Sequence, residues 1–452
     1  MKTTDAFVGQ ECRACVETYP ADTVGRCPDC GAPLSARIEP SALTRETLAD
    51  PDRVGMGRFQ RLLPFPAHRI VDLAAGGTPL LGIPGVAEDL GLGTLAVKDE
   101  GRNPTGAFAD RWAALTVTAA RETNGTDVAL ASPGNGAQAV AAAAALAGLP
   151  SHSFVPSRAP FLNKAMINVH GGEMTVVPGR YEDAATAYED ARAAGDRNAD
   201  RDGSASGDGS ASGGGSADGG GSADGGGSAD GGGNANGEAR ADSNGNVDSS
   251  ADGGPDWHPA GPFASAFPVE GAKTVAYEIA LQRGWEVPDA VVTPVGHGAA
   301  VVGLAKGFRE LHEPGLIDRV PRLFATQPAG CAPVVSSWEG AGESVTSVDG
   351  PDTVCGELEL PNPDGGDLAL AAIRETDGGA AAGTDDEALD AATTLAGRGL
   401  SASVTGGVAL AGLRRLVEAG VLGEVDDVVL LDPLSGNKEA DLLRSHLMRE
   451  GI

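Results

Sequence analysis

The sequence predicts an α/β protein of two lobes built on parallel sheets, and three short segments carry that expectation. Val128-Ala129-Leu130-Ala131 is followed by Ser132-Pro133-Gly134-Asn135-Gly136 and then an Ala-rich helix from Ala137. Ala290-Val291-Val292-Thr293 leads into Pro294-Val295-Gly296-His297-Gly298 and a helix through Leu304 and Phe308. Val428-Val429-Leu430-Leu431 leads into Asp432-Pro433-Leu434-Ser435-Gly436. Short apolar runs closed by glycine turns read as buried strands. Strand, turn and helix in that order build parallel sheets, whose ligands sit at the C-terminal strand ends.

The chain has 452 residues, enough for two or three domains and a sizeable buried core. Lys and Arg number 33 against 63 Asp and Glu, a net charge of −30. Binding to a phosphate backbone needs a basic face, so nucleic acid is excluded as a partner. The longest apolar run, 139–149, is too short and Ala-rich to span a bilayer. No apolar signal core precedes Cys12, and a soluble cytoplasmic protein is the expectation. Lysine occurs at six positions only (2, 98, 164, 273, 306 and 438), beside abundant Ala and Gly. That balance points to solubility at high salt, where ions screen the self-repulsion. An ordinary acidic cytosolic protein is the other reading.

Cys12-x2-Cys15 and Cys27-x2-Cys30 are spaced as two knuckles that give four thiolates to one tetrahedral zinc. Gly31 suits the tight turn after the second knuckle. Two disulfides or a redox pair are the alternatives, and a cytoplasmic setting disfavours stable disulfides. A zinc with four protein ligands is structural, without an open position for catalysis. Cys331 and Cys355 stand alone and read as buried, inert thiols.

Residues 196–255 are a low-complexity insert in which Ser216-Ala217-Asp218-Gly219-Gly220-Gly221 recurs at Ser222 and Ser228. Without apolar residues to offset chain entropy, it is expected to be a disordered, hydrated coil. The expected organisation is a zinc ribbon at 1–45, a connecting arm at 46–90 and a first α/β lobe at 91–195. The insert follows at 196–255, and a second α/β lobe occupies 256–452. That second lobe holds Gly296-His297-Gly298, where backbone N–H groups at a helix start can cradle a phosphate. The steric demands of a tight turn alone would also explain those glycines.

Several motifs together resemble the threonine synthase group of fold-type II (tryptophan synthase β-like) enzymes, which use pyridoxal phosphate (PLP). These are Gly76-Gly77-Thr78-Pro79-Leu80, the run from Lys98-Asp99-Glu100-Gly101 to Asn103-Pro104-Thr105-Gly106, and Ser132-Pro133-Gly134-Asn135. Glu270-Gly271-Ala272-Lys273-Thr274-Val275-Ala276-Tyr277-Glu278-Ile279 and Pro294-Val295-Gly296-His297-Gly298 complete the set. The resemblance covers nearly all of 1–445 outside the insert, and the acidity suggests a haloarchaeal type. It implies PLP held by Asn135 at the ring hydroxyl and by Gly296, His297, Gly298 and Ala299 at the phosphate. It also implies a small phosphorylated amino-acid-like ligand, and a homodimer or a hetero-oligomer with an active relative. The family reaction converts O-phosphohomoserine to threonine and phosphate.

Two departures from the family pattern bear on activity. Where the family reads SFKDR, this chain has Ala107-Phe108-Ala109-Asp110-Arg111. The resemblance thus puts Ala109 where the lysine that binds PLP covalently is expected, and leaves no catalytic residue assigned. Losing a positioned acid/base costs about 10²–10⁴-fold in rate, before the lost covalent step is counted. Pro433 falls where a hydroxyl residue is expected to meet the pyridine nitrogen, with Ser435 as a candidate substitute.

The leading expectation is a threonine-synthase-like protein that is impaired or purely ligand-binding. The alternative is an active PLP lyase or deaminase with its lysine relocated to Lys98 or Lys273. A third reading is a zinc-ribbon interaction protein with a passive α/β body. His297 reads as a loop residue or phosphate contact. Arg102 and Arg111 read as ion-pair partners or substrate-phosphate ligands.

Overall fold

The computed structural model describes residues 1–40, 43–202, 257–449 and 451. Most of the low-complexity stretch, 203–256, lies outside them; its first residues, 196–202, continue the helix Tyr181–Asp202.

The N-terminal ribbon is a small antiparallel sheet of β1 (Phe7–Cys12), β2 (Thr18–Tyr19) and β3 (Leu34–Ile38) in the order β2-β1-β3. Its returning loop is stapled by Gln10, whose buried amide donates to the carbonyls of Pro20, Ala21 and Thr23 at 2.9–3.1 Å. Phe7 stands 6.0 Å, ring to ring, from Phe267, so the ribbon packs on the α/β body through an aromatic contact.

Among the described residues the body holds two sheets. The larger has the order β12-β11-β10-β13-β5-β4, from β4 (Leu80–Gly82), β5 (Thr94–Asp99), β10 (Ala290–Pro294), β11 (Arg322–Pro328), β12 (Gly379–Gly383) and β13 (Asp427–Asp432). All its pairings are parallel except β4 with β5. The smaller is fully parallel, with the order β8-β7-β6-β9. It comprises β6 (Asp127–Ala131), β7 (Ser151–Pro156), β8 (Glu173–Val177) and β9 (Trp257–Pro259). The three strand–turn–helix segments read from the sequence are β6, β10 and β13.

Chain order and sheet membership part at two points. β5, expected within the first lobe, pairs with β13 in the larger sheet. β9, expected to open the second lobe, pairs with β6 in the smaller one.

Strand periodicity explains how the larger sheet is buried on both faces. Val291, Val429 and Leu431 enter one apolar cluster, while Ala290, Val292, Val428 and Leu430 enter another. Alternate residues thus serve opposite sides, and helices cover both, as a parallel sheet requires. Among the described residues no helix is long and apolar enough to cross a membrane.

Candidate functional site

The turns after β6, β10 and β13 converge on one cavity. Ser132, Asn135, Gly296, His297, Gly298 and Ala299 all face it, as do Pro433 and Leu434. The five residues expected to hold a cofactor, Asn135 and the run 296–299, are therefore brought together at one place. Phe108, Ala109 and Trp112 close the cavity at the head of the helix Ala109–Glu122.

The β6 turn is built to aim Asn135. Ser132 Oγ accepts the N–H groups of Gly134 and Ala137 at 3.1 and 3.0 Å, fixing the start of the helix Asn135–Ala147. Gly134 has φ +148°, and a Cβ there would stand 2.7 Å from Asn163 Nδ2, so only glycine serves. Asn135 is 3% exposed, yet neither atom of its side-chain amide has a hydrogen-bond partner. An unsatisfied buried amide costs about 1–3 kcal/mol, which a polar ligand in the cavity would relieve.

The β10 turn delivers the start of the helix Ala299–His312. Gly298 has φ +98° and its would-be Cβ lies 2.9 Å from the Gly365 carbonyl, so the turn can close only as glycine. The unpaired N–H groups of that first turn, together with the helix dipole, favour an anion. His297 Nδ1 has no hydrogen-bond partner and lies 3.7 Å from Asp364. Burial lowers the imidazole pKa against the pull of Asp364.

Ala109 is 8% exposed at the head of its helix. Its neighbour Asp110 caps the preceding turn, accepting from Thr105 N and Thr105 Oγ1, both at 2.8 Å. Burial pushes the Asp110 carboxyl up to about 6.

Arg111 points away from the cavity. It is fully buried and pairs with Glu100 at 2.6 and 2.8 Å and with Glu278 at 2.8 Å. Glu278 also takes Lys98 at 2.6 Å and the N–H of Gly77 at 2.7 Å. This network knits together the 76–80, 98–106 and 270–279 motifs, so their role is to hold the body. Lys273 is likewise paired, with Glu270 at 2.6 Å and Glu310 at 2.7 Å. Neither Lys98 nor Lys273, the two candidates for a relocated lysine, faces the cavity. Arg102 pairs with Asp99 at 3.0 Å, with its own side chain largely exposed.

Two groups escaped the sequence reading. Glu357 faces the cavity from the short turn Gly356–Leu358. Lys438 is buried behind the wall, donating to Gln138 Oε1 at 2.6 Å and Asn163 Oδ1 at 3.1 Å. Burial lowers its pKa to about 8. No motif marks Glu357, and Lys438 was noted only as one of the six lysines. Ser435 does not face the cavity; Thr405 does, but its hydroxyl already donates to Glu439 at 2.7 Å.

In the ribbon, Cys12 and Cys30 sulfurs are 3.4 Å apart and those of Cys15 and Cys27 are 3.7 Å apart. All four lie within 4.8 Å of one another and none is disulfide-bonded. Zn–S bonds of about 2.3 Å give tetrahedral edges of about 3.8 Å, so the donor set fits zinc.

A family model described as pyridoxal-phosphate dependent enzyme matches residues 71–204 and 226–433. The chain belongs to this family. Threonine synthase of Methanocaldococcus jannaschii is 27% identical over 438 residues, 96% of this chain and 93% of that protein. Threonine synthase of Methanosarcina acetivorans is 29% identical over 376 residues, 83% and 78% of the two chains. Maize serine racemase shares the fold with a TM-score of 0.59 at 17% identity, covering 83% of this chain and 94% of that one. A threonine deaminase of Solanum lycopersicum gives 0.56 at 18%, covering 81% and 87%.

The family's cofactor fits part of the cavity. The unpartnered Asn135 amide and the anion-favouring helix start at 298–300 suit a phosphorylated pyridine. No lysine among the described residues faces the cavity.

Proposed function

We propose that this threonine-synthase-like member of the PLP-dependent family holds a phosphorylated pyridine or similar small ligand non-covalently and does not turn over O-phosphohomoserine at family rates. The observation that carries the reading is the alanine at 109, set in the wall of an otherwise well-formed cavity. When bound, PLP supplies an aldehyde and an electron-withdrawing ring. Asn135 would orient that ring by its amide, and the 296–299 turn would neutralise the phosphate. Phe108, Trp112 and Leu434 would shield the ring faces from water. Ala109 can move no proton, and Pro433 can donate none.

On this reading the protein is a cytoplasmic ligand sensor, or the silent partner of an active relative, as a homodimer or hetero-oligomer. Its net charge of −30 supports a haloarchaeal-type setting, in which the melting temperature rises from dilute buffer to molar KCl. The decisive experiment is borohydride treatment of the protein with PLP in high salt, followed by peptide mass spectrometry and a phosphate-release assay with O-phosphohomoserine. Scattered substoichiometric labelling without phosphate release is expected. A stoichiometric adduct on one lysine together with ordinary turnover overturns the reading.

A further inference from the structure

The start of the helix Asn135–Ala147 is a second place in the cavity where an anion would sit, and the chain fills it itself. Glu357 Oε1 accepts the N–H of Asn135 at 3.1 Å and faces Asn163 Nδ2 at 3.4 Å. The main-chain carbonyl of Glu357 lies 3.0 Å from where a Cβ of Gly296 would be, so this one residue bridges the two ligand-facing turns. Its segment is pinned rather than loose. Thr353 Oγ1 and Val354 N donate to Asp385 at 2.6 and 2.8 Å, and Gly365 N donates to the His297 carbonyl at 3.0 Å. The buried, unpartnered Asn135 amide beside the carboxylate marks the same spot as one that expects a ligand.

Charge decides what kind of ligand. Among the described residues, the ionisable side chains facing the cavity are Glu357 and the histidine His297. Lys438, a buried cation, is turned to Gln138 and Asn163 behind the wall. Above about pH 7, where Glu357 is ionised, a ligand carboxylate arriving at the Asn135 turn would meet it on the same N–H, and the one cation acting on Glu357, Lys438, is already held by Gln138 and Asn163. An ammonium there would instead be paired.

We propose that Glu357 is a specificity residue that reserves this end of the cavity for an amine without a carboxylate, so that the favoured ligand is a phosphorylated pyridine bearing a simple amine. The inference rests on the reading of the cavity as a phosphorylated-pyridine seat. It narrows that ligand class by excluding conjugates that carry an amino acid's carboxylate.

The test uses two stable secondary amines that differ by one carboxylate, phosphopyridoxyl-ethanolamine and phosphopyridoxyl-L-serine. Their affinities for the full chain are measured by calorimetry at one fixed salt concentration and well above pH 7, where the Glu357 carboxyl is ionised. The wild-type protein is expected to bind the ethanolamine conjugate at least tenfold more tightly. In Glu357→Gln the gap should narrow to within about threefold, because the charge is gone. In Glu357→Ala, which frees the Asn135 N–H, the serine conjugate should become the tighter ligand. Glu357→Gln is the informative variant if Glu357→Ala fails to fold, as judged by its melting curve. Equal binding of both conjugates to the wild type, or a ratio that both folded variants leave unchanged, overturns the proposal while the seat stands. No binding of either conjugate to any folded variant overturns the seat and the proposal together.

Discussion

Phe108 donates its backbone N–H to the carbonyl of Pro433 at 2.8 Å. Around that bond Ala107 bridges Leu434, and Ser435 N donates to the Gly106 carbonyl at 3.0 Å. The turn that carries Ala109 and the turn that closes β13 are thus one continuous wall. Side chains placed at 109 or 433 share one fixed frame, which makes both positions testable by substitution.

Ala109→Lys puts an amine into the cavity wall from a residue that is 8% exposed. PLP added to this variant should give a visible absorbance band and, after borohydride, a single labelled peptide containing position 109. Phosphate release from O-phosphohomoserine should rise further when Pro433→Ser is added. An unlabelled peptide in a folded variant would show that position 109 does not reach the ligand.

Arg111→Met should destabilise the body severely, by about 3–5 kcal/mol, because it leaves Glu100 buried without its ion-pair partner and Glu278 with Lys98 alone. Burial by itself would raise the pKa of Glu278, but Arg111 and then Lys98 outweigh it and hold the carboxyl far below its ordinary 4.5. A carboxylate depressed in the folded state stabilises above its unfolded pKa and loses that contribution as pH falls below about 4.5. Acid titration of the folded fraction should therefore show a steep loss on that side, shifted to higher pH in the variant. Coincident acid limbs for the two proteins would refute the assignment.

Zinc content should be one ion per chain. Chelation, or Cys27→Ser, should melt the ribbon and expose the Phe7–Phe267 contact, lowering the melting temperature. Metal analysis with calorimetry checks both. A chain that purifies without metal and melts unchanged in chelator would argue against the site.

Glu357 supplies a stability test that needs no ligand. Burial pushes its carboxyl up to about 7, against the Asn135 N–H and the Lys438 charge, with Glu439 adding to the rise. Between its ordinary 4.5 and about 7 the folded chain holds a proton that the unfolded chain releases. This contribution therefore fades as pH rises through that window. Glu357→Gln cannot titrate, so its stability relative to wild type should grow from pH 4.5 to 7 and then level off. Denaturant melts across that range are the measurement, and a flat difference would exclude the assignment.

The parts of the site written in local spacing were legible before any fold was known. The four cysteines, the 132–135 and 296–299 turns and the three strand–turn segments all lie within short runs, and short runs carry strand and turn signals. What depends on distant pairing was not legible. The Lys438 amine meets Gln138 and Asn163, 300 and 275 residues away, and Glu357 meets Asn135 across 222. β9 is only Trp257–Pro259, too short for any alternation to declare it. The Arg111 network shows the opposite case. Arg111 was read as an ion-pair partner or a substrate-phosphate ligand, but the spacing of its motifs did not say which acids it would meet.

The position of β13 has a consequence for the order of events during synthesis. It pairs with β10 on one side and β5 on the other, and it is the last described strand of the chain. Until it emerges from the ribosome, β4–β5 and β10–β11–β12 are two separate fragments, each with an open hydrogen-bonding edge. Such edges recruit stray strands, and sheets closed by distant segments form slowly. The nascent chain therefore needs protection longest at the edges that β13 will join. The ligand cavity, whose wall includes the turn after β13, comes into being only once that strand and its turn have been made.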